Sequence, residues 1–177
     1  MRVKFIKCFL VLTFLIVSFS SKLHAVSIQY IGDMLQYIIP AYALGMSVNE
    51  KDIEGAQQMV FSFGVTQLTV NSIKLIVPER RPDGTDKHSF PSAHTASAFS
   101  GASFIHKRYG LMQASVPYVL AAFVGFSRVY AKRHWTHDVL AGATISCLVS
   151  YFMVSKYVDI TIEMGQKKRE VGFIYRF

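Results

Sequence analysis

The sequence predicts an all-α, multi-helix membrane bundle closed by a short C-terminal β-hairpin. Three observations carry that expectation. Hydrophobic residues make up 51% of the chain and charged residues only 17%, against about 25% charged in ordinary soluble domains. The apolar residues gather into runs of helix length separated by short polar turns, with no internal repeat and no low-complexity stretch. After residue 157 the period changes, and apolar residues alternate with polar ones. At 177 residues the chain suits one domain. It has five helices if the N-terminal segment is removed and six if that segment is kept.

Residues 1–25 have the form of an export signal. Arg2, Lys4 and Lys7 give a positive start, Cys8 to Phe19 an apolar centre, and Leu23-His24-Ala25 an imperfect cleavage site. The apolar centre is shorter than the ~20 residues of a spanning helix, so both a removed signal and a retained first transmembrane helix are open. Either outcome leaves residue 26 outside the cytoplasm. The helical domain covers 26–157. Its first run, Ser27 to about Met46, is apolar but carries Asp33 and Gln36. A polar loop, Asn49 to Glu54, precedes a second helix from about Gly55 to Val77, which Pro78 ends by disfavouring helix in the residue before it. Gln57, Gln58, Gln67 and Asn71 on that helix are expected to hydrogen-bond to neighbouring helices.

Glu79 to Phe90 forms a charged loop. Pro91 fits the first turn of a third helix, 91–107, where its missing N–H costs nothing. That helix is dense in Ala, Ser and Gly, a composition that lets backbones approach closely, and packing is the role assigned to it. A fourth helix spans about Leu111 to Tyr130 and a fifth Trp135 to Tyr157. The tail, 158–177, alternates through Val158, Ile160, Ile162 and Met164 and again through Val171, Phe173, Tyr175 and Phe177, the pattern of a β-hairpin.

Charge constrains the surroundings. The formal net charge is +8, but the cations sit in short clusters between apolar runs rather than in a basic stripe with accessible aromatics. That points to an anionic membrane surface and an anionic ligand, and away from nucleic acid. With residue 26 outside, alternation puts the 78–90 loop and the 129–134 turn outside too. His106-Lys107-Arg108 and Lys167-Lys168-Arg169 then fall on the cytoplasmic side, as the positive-inside bias prefers. Cys8 and Cys147 lie in apolar runs and offer neither metal-ligand spacing nor a disulfide framework. Nothing in the sequence fixes an oligomeric state.

Three polar clusters interrupt the apolar sequence between Lys74 and Asp138. They are Lys74 with Arg81-Pro82, Pro91-Ser92-Ala93-His94, and Ser127-Arg128 with His134 and Asp138. Arg supplies planar forked donors for phosphate oxygens and Lys a point charge. Two histidines allow one to attack while the other donates a proton. The clusters resemble the signature of the type 2 phosphatidic acid phosphatase family, which shares its site with vanadium haloperoxidases and bacterial acid phosphatases. The family patterns are K-x6-R-P, P-S-G-H and S-R-x5-H-x3-D. This chain matches the first and third in full and departs once, with Ala93 in place of glycine. Alanine keeps the backbone N–H that would face a phosphate.

The resemblance implies an integral membrane phosphatase of the bacterial inner membrane, active on its periplasmic side. Its substrate would be a phosphate monoester or pyrophosphate on a lipid, hydrolysed through a phosphohistidine without a metal or other cofactor. It assigns His134 as nucleophile, Asp138 as the group orienting it, and His94 as general acid. Lys74, Arg81, Ser92, Ala93 and Arg128 would hold the phosphate. His88 and His137 match no family position. A soluble periplasmic acid phosphatase with the same site is the alternative. A vanadate-dependent haloperoxidase and a non-catalytic lipid-binding protein are more distant ones.

Overall fold

The computed structural model describes residues 28–157, together with a two-residue pairing in the tail. Five helices follow in order: α1 (Ile28–Asn49), α2 (Ile53–Ile76), α3 (Ala93–Tyr109), α4 (Leu111–Tyr130) and α5 (Thr136–Met153). They sit within a few residues of the expected spans. The small-residue helix α3 is the axis of the bundle and touches each of the other four. Ala96, Ala98 and Ala102 are wholly buried along it. A Cβ on Gly101 would lie 2.8 Å from the backbone of Ile39, so α1 rides directly on α3. A Cβ on Gly142 would meet the Ser92 carbonyl, which sets α5 against the start of α3. The small residues of α3 serve packing, as the sequence analysis expects.

The bundle interior is rich in hydroxyls beside two apolar clusters, one around Phe104 and Ile105 and one around Ile39 and Val124, and the exterior is apolar. Ser62, Thr66, Ser97, Ser100, Ser103, Ser127, Ser146 and Ser150 are all buried. Four of them cross-link the helices: Ser146 Oγ donates to the Ala96 carbonyl at 2.7 Å, Ser97 Oγ to the Gln36 carbonyl at 2.7 Å, and Ser103 and Ser150 share a bond of 2.7 Å. Leu68, Leu75, Ile76, Met112, Val119 and Phe152 point outward, each at least two-thirds exposed. Water would penalise such an exterior, whereas lipid would not. Among the described residues, α2 is the one helix long and apolar enough by itself to cross a membrane. The other helices, expected to span as well, devote much of their length to the serine, glycine and polar residues that face inward.

Three boundaries differ from the expected ones, two of them through side-chain caps. The third helix begins at Ala93 rather than Pro91, because Ser92 is its N-cap and accepts from the Thr95 N–H at 3.4 Å. The second begins at Ile53, earlier than expected, because Asp52 caps it by accepting from the Gly55 N–H at 2.8 Å. Arg108 grips the same carboxylate with a two-pronged contact of 2.7 and 2.6 Å, in a buried pair that ties α2 to α3. The fifth ends at Met153, and the chain then runs back so that the Tyr157 N–H meets the Arg108 carbonyl at 2.8 Å. Of the four amides on α2, Gln58 makes a long-range bond, to Ser155 at 3.0 Å. Gln57 and Asn71 are exposed, and Gln67 Nε2 has no hydrogen-bond partner among the described residues. The buried face of α2 runs through Gly55, Met59, Ser62, Thr66 and Val70, so these amides sit off it.

The alternating helices bring residues 77–92 and 131–135 together at one end of the bundle, as expected. The Asp83 N–H donates to the Lys132 carbonyl at 3.1 Å, and Trp135 Nε1 to the Arg80 carbonyl at 3.0 Å. The N-terminal segment 1–25 lies outside the described residues. So does most of the expected hairpin; the antiparallel pairing of Met164–Gly165 with Lys168–Arg169 is too short to establish it.

Candidate active site

Two carboxylates organise the 77–92 loop, and each fixes an arginine. Asp86 accepts from Arg81 Nε at 2.7 Å and from the His88 N–H at 2.8 Å, and these two bonds hold its carboxyl below the usual range. Asp83 accepts from the N–H and hydroxyl of Thr85 at 3.0 and 2.7 Å across a turn in which Gly84 takes a φ of 74°. Its second oxygen pairs with Arg133 at 3.0 Å. Arg81 Nη1 also donates to the Arg133 carbonyl at 3.1 Å, which locks the loop to the turn between α4 and α5.

That turn carries His134, which is only 2% exposed. Its Nδ1 lies 3.4 Å from Oδ2 of Asp138. His134 precedes α5, which starts at Thr136. Asp138 lies near the start of α5 and reaches back, accepting the Trp135 N–H at 2.8 Å. The same oxygen accepts from Ser89 Oγ at 2.5 Å. Asp138 is fully buried, and these bonds satisfy Oδ2, whereas its Oδ1 and His134 Nδ1 have no hydrogen-bond partner among the described residues. Burial first, and then the charges of Lys74 and Arg81, push the His134 imidazole down to about 4, against the upward pull of Asp138. The ring is therefore neutral at pH 7, with a nitrogen lone pair available.

Arg81, His94, Arg128 and His134, drawn from all three clusters, line one cavity of about 250 Å³, with Gln29, Asp33 and Arg133 completing its wall. Arg128 is buried and uses all three nitrogens. Nε donates to Ser127 Oγ at 3.0 Å, Nη1 to Asp33 at 2.5 Å and Nη2 to the Gln29 carbonyl at 2.6 Å. His94 Nε2 lies 3.0 Å from the same Asp33 oxygen.

Lys74, Ser92 and Ala93 are not among the cavity-lining residues. The Lys74 ammonium donates to the carbonyls of His88, Ser89 and Pro91 at 2.9, 3.3 and 2.5 Å, and so clamps the turn leading into α3. Ser92 is buried as the cap of α3, while Ala93 is half-buried in its first turn. Folding also places His137 between Glu79 and Asp138, with Nε2 at 2.7 and 3.2 Å from their oxygens. The ligand atoms of these three lie within 4.8 Å of one another, a grouping that sequence separation hides. Of these contacts, the one between His137 Nε2 and Glu79 is a hydrogen bond.

Four residues of the site escape the sequence analysis in this role: Gln29, Asp33, Ser89 and Arg133. Asp33 had a signal, as a carboxylate inside an apolar helical run. Arg133 stood out only as a cation on the outer face. Ser89 and the Gln29 carbonyl had none, since a serine in a polar loop and a backbone oxygen are unmarked in sequence.

Residues 55–161 match the PAP2 superfamily, a span that contains all three clusters. The chain belongs to that superfamily. Among PAP2 relatives, it is 43% identical over 83 residues to the lipid A 1-phosphatase of Porphyromonas gingivalis, covering 45% of this chain but only 19% of that protein. It is 27% identical over 170 residues to the lipid A 4'-phosphatase of Helicobacter pylori, covering 85% of each. The crystal structure of Aquifex aeolicus LpxE superposes with a TM-score of 0.59 at 22% identity, over 71% of this chain and 84% of that one, a likeness of fold. The transmembrane PAP2-type phosphatidylglycerolphosphate phosphatase of Bacillus subtilis gives 0.54 at 28% identity over 71% of each. Gln29 and Asp33 precede the matched span.

Proposed function

We propose that the chain is an integral membrane lipid phosphatase that removes phosphate from lipid A or a similar lipid through a covalent phosphohistidine. One observation carries this: two histidines and two arginines of separate sequence clusters converge on a single small cavity, with a buried carboxylate behind one histidine. His134, neutral and backed by Asp138, attacks phosphorus. The P–O bond to the lipid alcohol breaks, and His94 passes a proton to the departing oxygen. Water, deprotonated by the same His94, then cleaves the P–N bond and releases inorganic phosphate. Arg81 and Arg128 face the equatorial oxygens, whose charge they stabilise in transit. Lys74 acts through the 88–91 turn and through its positive field at His134. Ser92 and Ala93 present the start of α3, whose free N–H groups favour an anion.

The lipid A phosphatases among the relatives support the substrate class. An exterior of leucine, isoleucine, valine and phenylalanine supports insertion in a membrane rather than a soluble enzyme. The site lies at the end of the bundle opposite His106-Lys107-Arg108, which supports a periplasmic active site under the positive-inside bias. The test is phosphate release by purified protein from lipid A, phosphatidate, phosphatidylglycerophosphate and a polyprenyl pyrophosphate, beside His134→Ala. Turnover of lipid A that disappears in the folded variant is expected. Failure on every lipid, or a variant with near-normal turnover, refutes the proposal.

A further inference from the structure

The cavity is lined by a carboxylate, that of Asp33. Its Oδ1 sits 2.5 Å from Arg128 Nη1 and 3.0 Å from His94 Nε2. These are the two donors that a phosphate ester needs, one for a phosphoryl oxygen and one for the leaving oxygen. Arginine makes the same charge-assisted bonds to carboxylate as to phosphate. Asp33 is no sealed structural pair, since its side chain is 36% exposed and lines the cavity while Arg128 is 2% exposed. The other Arg128 nitrogens are held by Ser127 Oγ and the Gln29 carbonyl, so the guanidinium is aimed at α1 rather than into open space. A phosphoryl group entering the cavity must take Arg128 and His94 from Asp33, or bind beside a like charge.

We propose that Asp33 is an affinity-setting residue that competes with phosphate for Arg128 and His94, so that the site binds a lipid phosphate but expels inorganic phosphate. The proposal rests on the phosphatase function above and deepens it. A lipid substrate brings binding energy from its acyl chains, which the apolar exterior can meet, and tolerates the competition. Free phosphate has only its charge, and Asp33 opposes that charge directly. Released product then leaves instead of occupying the cavity.

The test replaces Asp33 with the near-isosteric asparagine. Inhibition by inorganic phosphate and by orthovanadate is measured during lipid phosphate hydrolysis, and binding of both anions to resting enzyme by the shift in Tm. Removing one charge this close should tighten both anions about tenfold or more, lower KM less, and lower kcat as product leaves more slowly. Asp33→Glu, which keeps the charge, should not tighten phosphate or vanadate as Asp33→Asn does. A structural brace predicts the reverse, because Arg128 without its partner would lose alignment and bind anions more weakly. Unchanged or weaker anion binding in Asp33→Asn overturns the proposal. If that variant does not fold, Asp33→Ser takes its place; failure of both to fold makes Asp33 a brace and ends the proposal. Wild-type protein that binds vanadate without hydrolysing any lipid would instead sink the phosphatase assignment.

Discussion

Acidification should protonate His134 far later than it would a solvated imidazole. Burial opposes the charged ring, Lys74 and Arg81 repel it, and Asp138 only partly offsets them, leaving the group at about 4. A free histidine titrates near ~6.5. At pH 5 a ring with the lower value is roughly 90% neutral, and a free one roughly 3%. His134, the proposed nucleophile, should therefore be more available at that pH than solution chemistry suggests. Carbethoxylation by diethyl pyrocarbonate reads this directly, because it attacks only neutral imidazole. In a His94→Asn background, the loss of residual turnover of an aryl phosphate follows modification of His134 alone. The inactivation rate, corrected for reagent decay, should stay near its plateau down to pH 5 and fall below it. Replacing Lys74 with methionine removes a repelling charge and should move the bend upward. A bend near pH 6.5 in the wild-type pocket would refute the electrostatic reasoning. The same depression has a stability consequence. The unfolded chain takes up its proton near ~6.5 while the native ring stays neutral, so stability from this group is complete above that pH and is lost as pH falls toward 4.

Loss of the nucleophile in His134→Ala should cost several powers of ten in phosphate release, at about 1.4 kcal/mol of barrier per power of ten, with no change in the elution volume or circular dichroism of the detergent-solubilised protein. Hydrolysis should persist in saturating EDTA, since arginines occupy the role a metal would take; a rate that collapses in chelator and returns with zinc or magnesium would instead assign a working ion to Glu79, His137 and Asp138. His94→Asn should slow an alkyl phosphate far more than an aryl phosphate, because a good leaving group needs little protonation. Equal loss on both esters would remove His94 from the role of general acid.

How much of this was legible in sequence depended on whether a residue's partner was near or far along the chain. The helices were legible because apolar runs and prolines are local signals, and their starts moved where Ser92, Asp52 and Asp138 cap with side chains. His94, His134, Arg81 and Arg128 were legible as a set because three spaced clusters coincide, and folding does bring them to one cavity. Lys74 was not legible in its actual position. The spacing that places it near the site cannot show that three carbonyls of the 88–91 turn take its protons. Asp33 was visible only as an anomaly, a carboxylate in an apolar helix whose partner Arg128 lies 95 residues away.

The inverted interior explains why a site of this kind can stand at one end of such a bundle. Hydrophobic contrast cannot separate inside from outside when the exterior is apolar, so close backbone approach and hydroxyl bridges must set helix positions. Gly101 against Ile39 and Ser97 on the Gln36 carbonyl fix α1 against α3. That same register carries Gln29 and Asp33, two turns and one turn before Gln36 on α1, to Arg128 and His94. Gly32 packs directly on Ser127 and Arg128, where any larger residue would collide. The helix outside the three clusters is thus positioned by small residues of α1 and α3, and through them it supplies Asp33, the carboxylate among the described residues lining the cavity.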